Sequence, residues 1–145
     1  MLTPNTQPGN PHKQVLVVED DTETALLLTM LLEDEGYEVT TAAKAEVAIR
    51  ACCKIPITNG KEPPPPFDLV LLDLNLPDMA YTEMVRCIVE CQRTASPVIV
   101  LSAMPDTQIR AAAQTIGAAA AVRKPFSLDV LLANVNRILA PSPAT

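Results

Sequence analysis

The stretch Leu69-Val70-Leu71-Leu72-Asp73-Leu74-Asn75-Leu76-Pro77-Asp78-Met79 decides the fold. From Phe67 to Leu72 it is the most apolar strand candidate in the chain, and it stops at a carboxylate, Asp73. Pro77-Asp78 then begins a turn into a helix expected over residues 81–92. A strand that is apolar on both faces belongs in a parallel sheet covered by helices.

Working outward from this stretch, the same pattern recurs. Val15–Val18 is a short apolar, β-branched run that ends abruptly in Glu19-Asp20-Asp21. Thr22 offers a helix N-cap, and Ala25, Leu28, Leu31 and Leu32 recur at helical spacing until Gly36. Tyr37 to Thr41 has strand propensity and precedes a second helical pattern, Ala45 to Cys53. On the other side, Pro97–Leu101 reads as a fourth buried strand ending in Ser102-Ala103, and Asp106 caps an Ala-rich helix closing at Gly117. A short fifth strand, Ala120–Val122, ends in Arg123-Lys124-Pro125, and a last helix capped by Ser127 runs to Leu139. Five strands alternating with five helices predict a doubly wound α/β fold.

Composition agrees with one such domain. The 145 residues are 48% hydrophobic but only 3% aromatic, so the core is built from Leu, Val, Ile, Ala and Met. A chain of this size buries about 68–70% of its unfolded surface and needs no covalent staple. The formal charge of −6 argues against a direct nucleic-acid binder, which needs clustered Lys and Arg. The longest apolar stretch, Ala25 to Leu32, is far shorter than the ~20 residues of a membrane span, and the first fourteen residues lack the apolar core of a secretory signal. The expectation is a cytoplasmic domain at 14–139, with a flexible leader at 1–13 and a tail at 140–145. The six residues after Leu139 leave no room for an output domain, so the chain reads as a stand-alone product.

Three features are read as background. Residues 55–66 contain Pro63-Pro64-Pro65-Pro66, which favours extended polyproline II; the reading is a stiff surface loop, with a proline-recognising partner as the alternative. Cys52, Cys53, Cys87 and Cys91 lack metal-knuckle spacing and read as reduced, half-buried thiols, with a metal site or a regulatory disulfide as the alternative. His12, the sole histidine, lies in the leader and cannot anchor a site within the domain.

The polar residues that matter fall at the carboxyl ends of four strands: Glu19-Asp20, Asp73, Ser102 and Lys124. Ligands of open α/β sheets bind at that edge. Three carboxylates gathered there repel, and at least one pKa rises unless a cation intervenes. Hard oxygen donors favour Mg²⁺, and the backbone carbonyl of Asn75 can add another oxygen. With the acids neutralised, Asp73 can act as a nucleophile toward a phosphoryl group, Lys124 can pair with a phosphoryl oxygen, and the Ser102 hydroxyl can donate to another.

This constellation resembles the receiver domain of two-component response regulators. The motifs are VLVVEDD (Val15–Asp21), LVLLDLNLPDM (Leu69–Met79), VIVLSA (Val98–Ala103) and VRKPF (Val122–Phe126), and the likeness spans roughly residues 14–139. It implies a flavodoxin-like receiver fold with strand order 2-1-3-4-5. It makes Asp73 the phospho-acceptor and Glu19 with Asp20 the acid pair; Asp20, Asp73 and the Asn75 carbonyl would hold Mg²⁺. Ser102 takes the place of the switch hydroxyl and Lys124 that of the family lysine, with a Lys124–Pro125 bond that is often cis. The implied partners are a sensor histidine kinase or a histidine phosphotransfer protein as donor, and an unidentified protein target. No enzymatic turnover beyond the domain's own phosphorylation and dephosphorylation is implied.

Three departures from the family stand out. The segment before the third strand is long and proline-rich, and is expected on the far side of the sheet from the acids. Ala80-Tyr81 stands where the family usually has a glycine, so a modified loop path is expected. Ala121 stands where the family usually has a switch aromatic. With no ring there to follow Ser102, output should be weaker or run through the loop after Ser102.

Two other classes compete. One is an adaptor whose partner binding ignores phosphorylation. The other is a Mg²⁺-dependent phosphatase of the haloacid-dehalogenase type, which wants an acid two residues after its nucleophile, where this chain has Asn75. The scattered glycines offer no phosphate-binding loop for a dinucleotide. The Ala-rich helix leaves a monomer or a weak homodimer open.

Overall fold

The computed structural model describes residues 12–52, 67–90 and 96–139. Five strands, β1 (Gln14–Val18), β2 (Glu38–Ala42), β3 (Leu69–Asp73), β4 (Val98–Ser102) and β5 (Ala120–Arg123), alternate with five helices. The helices are α1 (Thr22–Asp34), α2 (Ala45–Cys52), α3 (Tyr81–Glu90), α4 (Asp106–Ile116) and α5 (Leu128–Leu139). All pairings are parallel and the order is β2-β1-β3-β4-β5, as expected. The proposed loop at 55–66 and the tail at 140–145 lie outside the described residues, as do most of the leader, Cys53, Cys91 and the side chain of Cys52. Cys87 is a free, half-buried thiol.

The period of two along each strand sorts the core into two layers. Val15, Val17, Leu69, Leu71, Ile99 and Leu101 face α1 and α5, where they meet Leu28, Leu32, Leu131 and Val135. Leu16, Val18, Val70, Leu72, Val98 and Val100 face α2, α3 and α4, meeting Ala48, Met84, Ile88 and Ile109. Every residue of β3 and β4 is buried, which explains their unbroken apolar sequence. The edge strand β2 is mostly half-buried or exposed, and its Glu and Thr residues fit that place.

Element ends differ from the sequence reading in instructive ways. The cap of α1 is Asp21 rather than Thr22: the Thr24 N–H donates to Asp21 Oδ2 at 3.0 Å, and a carboxylate there also meets the positive end of the helix dipole. Asp106 does not cap α4. Pro105 holds the N-cap position without a side-chain bond, and Asp106 in the first turn pairs with Arg110 at 3.0 Å. Strand β2 starts one residue later than Tyr37, because the Tyr37 N–H closes the end of α1 by donating to the Leu32 carbonyl at 3.1 Å.

Candidate functional site

Sheet register assembles the site. Val18 pairs with Leu72, Asp73 with Leu101, and Ser102 with Arg123. Glu19 and Asp73 therefore emerge level with each other from the adjacent strands β1 and β3, with Ser102 on β4 one strand further across the sheet and Lys124 just past β5, two strands further. His12 precedes β1 and stands at the opposite end of that strand from the acids.

Glu19 and Asp73 are each 3% exposed, whereas Asp20 is exposed. Each of the three offers a carboxylate oxygen, and these oxygens lie within 4.8 Å of one another. Lys124 reaches back across the edge, donating from Nζ to Glu19 Oε1 and, at 3.2 Å, to Asp73 Oδ2. The other oxygen of Asp73, Oδ1, accepts the Asn75 N–H at 2.8 Å, so the loop carrying the expected carbonyl ligand is tied to the acceptor itself. Ser102 is fully buried; its Oγ accepts the Met104 N–H at 3.1 Å and retains its own proton to donate. The Lys124–Pro125 peptide is cis, as expected.

The electrostatics follow from this crowding. Burial, and then the neighbouring Asp73, push the Glu19 carboxyl above its ordinary value, with Lys124 offsetting part of the rise. Burial disfavours the Lys124 ammonium, but its hydrogen bond to Glu19 and the charge of Asp73 outweigh that and hold its pKa above the usual value. One ammonium thus serves two buried carboxylates, and the cluster retains excess negative charge. An open cleft of about 420 Å³ lies alongside, lined by Asp20, Asn75, Pro77, Met79 and Tyr81.

Asp78 was not anticipated as a working side chain. Its carboxylate accepts the Ala45 N–H at 2.8 Å and the Glu46 N–H at 3.4 Å, capping α2 from the loop that follows Asp73. Those bonds, with Ala45 foremost, hold its carboxyl below the ordinary 3.8. The Pro77-Asp78 pair signals a turn in sequence, but nothing local points to a helix end 33 residues away. That loop is also pinned by a bridge between Leu76 and Met79.

The fold is a doubly wound parallel sheet with three acids and a lysine converging at its carboxyl edge, where ligands of open α/β sheets bind. The chain belongs to the response regulator receiver domains, whose family model matches residues 15–136. It is 31% identical over 129 residues to the cell cycle response regulator CtrA of Brucella ovis, covering 89% of this chain and 51% of that protein. The chain thus spans about half the length of the curated relatives it matches. Among solved structures it is similar to the non-phosphorylated HemR receiver domain of Leptospira biflexa, at 29% identity and a TM-score of 0.69, covering 92% of this chain and 98% of that one. It is also similar to a CheY-like receiver domain protein of Methanospirillum hungatei, at 28% identity and a TM-score of 0.66, covering 88% and 93%.

Proposed function

We propose that Asp73 accepts a phosphoryl group from a sensor histidine kinase or a histidine phosphotransfer protein in the cytoplasm, and that the domain then signals through protein contacts. The observation that carries this reading is the buried Asp73 carboxylate held between the Lys124 ammonium and the Asn75 N–H, beside two further acids. Glu19, Asp20 and Asp73, with the carbonyl of Asn75, form the donor set for Mg²⁺; three carboxylate oxygens within 4.8 Å suit a hard divalent cation. Mg²⁺ held by these residues would neutralise the acids and supply Lewis-acid stabilisation of phosphoryl charge.

A carboxylate oxygen of Asp73 supplies the electron pair for the new P–O bond. The P–N bond of a phosphohistidine donor breaks, and its electron pair stays on the imidazole nitrogen. Lys124, already bonded to Asp73, turns its ammonium to a phosphoryl oxygen. Ser102 donates its hydroxyl proton to another, acting as a second anchor. Asn75, two residues past Asp73, cannot serve as the general acid of a haloacid-dehalogenase-type phosphatase, which favours reading the chemistry as the domain's own phosphorylation and dephosphorylation.

Intact-mass spectrometry after incubation with acetyl phosphate, with and without Mg²⁺, tests the reading. A single phosphoryl adduct that requires Mg²⁺ and disappears in Asp73→Asn is the expected result. An adduct that persists in Asp73→Asn, or none with Mg²⁺ present, refutes it.

A further inference from the structure

We propose that Tyr81 is the positioning residue that carries the state of Asp73 to the α3–α4 face of the molecule. This inference rests on Asp73 being the phosphoryl acceptor. Tyr81 is the first residue of α3 and is half-buried. On one side it lines the cleft beside the acids, with Asp20 and Asn75. On the other it lines a separate groove of about 270 Å³ between α3 and α4, facing Gln108, Ala111 and Ala112. It packs against the same core layer as Met104, whose N–H donates to Ser102 Oγ.

The other aromatic residues are placed elsewhere. Tyr37 donates its hydroxyl to Asn136 on α5, Phe126 packs in the layer of α1 and α5, and Phe67 precedes β3. On β5, Ala121 is exposed and presents only a methyl group.

The segment between Asp73 and Tyr81 is short and anchored, so a displacement at one end reaches the other. Leu74 and Leu76 are buried, Leu76 and Met79 form a bridge, and Asp78 is tied to α2. The Ala80 carbonyl accepts the N–H groups of Glu83 and Met84, fixing the first turn of α3 directly behind Tyr81. Phosphorylation turns one oxygen of Asp73 into the bridging oxygen of an acyl phosphate, a poorer acceptor, and adds phosphoryl oxygens that compete for the Asn75 N–H and Lys124. The Asn75 end of this strut is therefore redirected, and Tyr81 shifts against the small side chains of α4. Ala111 and Ala112, two small side chains lining the groove with Tyr81, leave room for such a shift.

The test uses the full chain labelled with 3-fluorotyrosine; having only two tyrosines, it gives two resonances, assigned with Tyr81→Phe. With Mg²⁺ and acetyl phosphate, the Tyr81 resonance is expected to move and the Tyr37 resonance to stay, with no movement in Asp73→Asn. In ¹⁵N spectra, phosphorylation of the wild type shifts the amides of residues 81–85 and of α4, with β5 and α5 changing less. Tyr81→Ala is expected to form the same mass adduct while losing most of the α4 shift, and Tyr81→Phe to retain it. An adduct on Asp73 with a still Tyr81 resonance, or an α4 response undiminished in Tyr81→Ala, overturns this inference alone. The absence of any adduct on the wild type overturns the acceptor assignment and this inference with it.

Discussion

At the scale of single residues, Lys124 is the most consequential side chain after Asp73. Its ammonium donates to two carboxylates that are almost fully buried. Removing it leaves those charges without their partner, a change that costs on the order of 2 kcal/mol, moderated because Lys124 itself retains 22% exposure. Lys124→Ala should therefore be less stable than the wild type in urea at pH 7 with EDTA. Without the ammonium, which holds the Glu19 carboxyl down, Glu19 takes up a proton more readily in the folded state, so the deficit should shrink at pH 5. An equal deficit at both pH values would mean that the loss is one of packing rather than charge. Residue types and their places at strand ends were readable from sequence, but the sharing of one lysine between Glu19 and Asp73 joins positions 105 and 51 residues away.

At the scale of elements, helix ends are set by backbone chemistry that sequence shows only in part. Gly117 ends α4 in the left-handed region at φ 72°, where its N–H donates to the Gln114 carbonyl at 3.2 Å. A Cβ placed there meets nothing within 4 Å, so the cost of Gly117→Ala is conformational and not steric. The expected loss is about 1 kcal/mol, read as a lowered urea midpoint with an unchanged slope, and Gly117→Asn should lose less. Wild-type stability in Gly117→Ala would show that the helix end relaxes out of that conformation. The Ala-rich helix and its terminal glycine were both legible. Its start was not, because Pro105 takes the cap position with no side-chain bond at all and Asp106 turns to Arg110 instead. The cap of α2 lay still further from local reach, since it comes from Asp78.

At the scale of the whole molecule, the acid cluster links stability to pH, and the proposed Mg²⁺ site should link it to divalent cations as well. Glu19 has a folded pKa raised above 4.5. At Glu19 the folded state thus holds more proton than the unfolded chain between the two pKa values, and this group's contribution to the stability of the metal-free protein falls as pH rises from about 4.5 through the folded pKa. A cation that binds the three carboxylates displaces that proton, so it binds more tightly at pH 7 than at pH 5. At ten times its Kd, Mg²⁺ adds about 1.4 kcal/mol, or roughly 3–7 °C in Tm. Thermal melts with and without Mg²⁺ should give that rise at pH 7 and a smaller one at pH 5. A rise that is equal at the two values, or that survives in Asp20→Asn with Asp73→Asn, would place the bound ion elsewhere.

Sequence by itself determined the alternation of strands and helices, the parallel sheet with two covered faces, and the carboxyl edge where Glu19, Asp20, Asp73, Ser102 and Lys124 gather. These follow from short-range facts: unbroken apolar runs, a period of 3.6, and polar residues that interrupt both. Tertiary structure alone decided that Asp78 caps α2, that Lys124 bridges Glu19 and Asp73, and that Tyr81 stands between the cleft beside the acids and the α3–α4 groove. Each of these joins groups that only the winding of the chain brings together, and no local pattern records which distant backbone or side chain a polar group will meet.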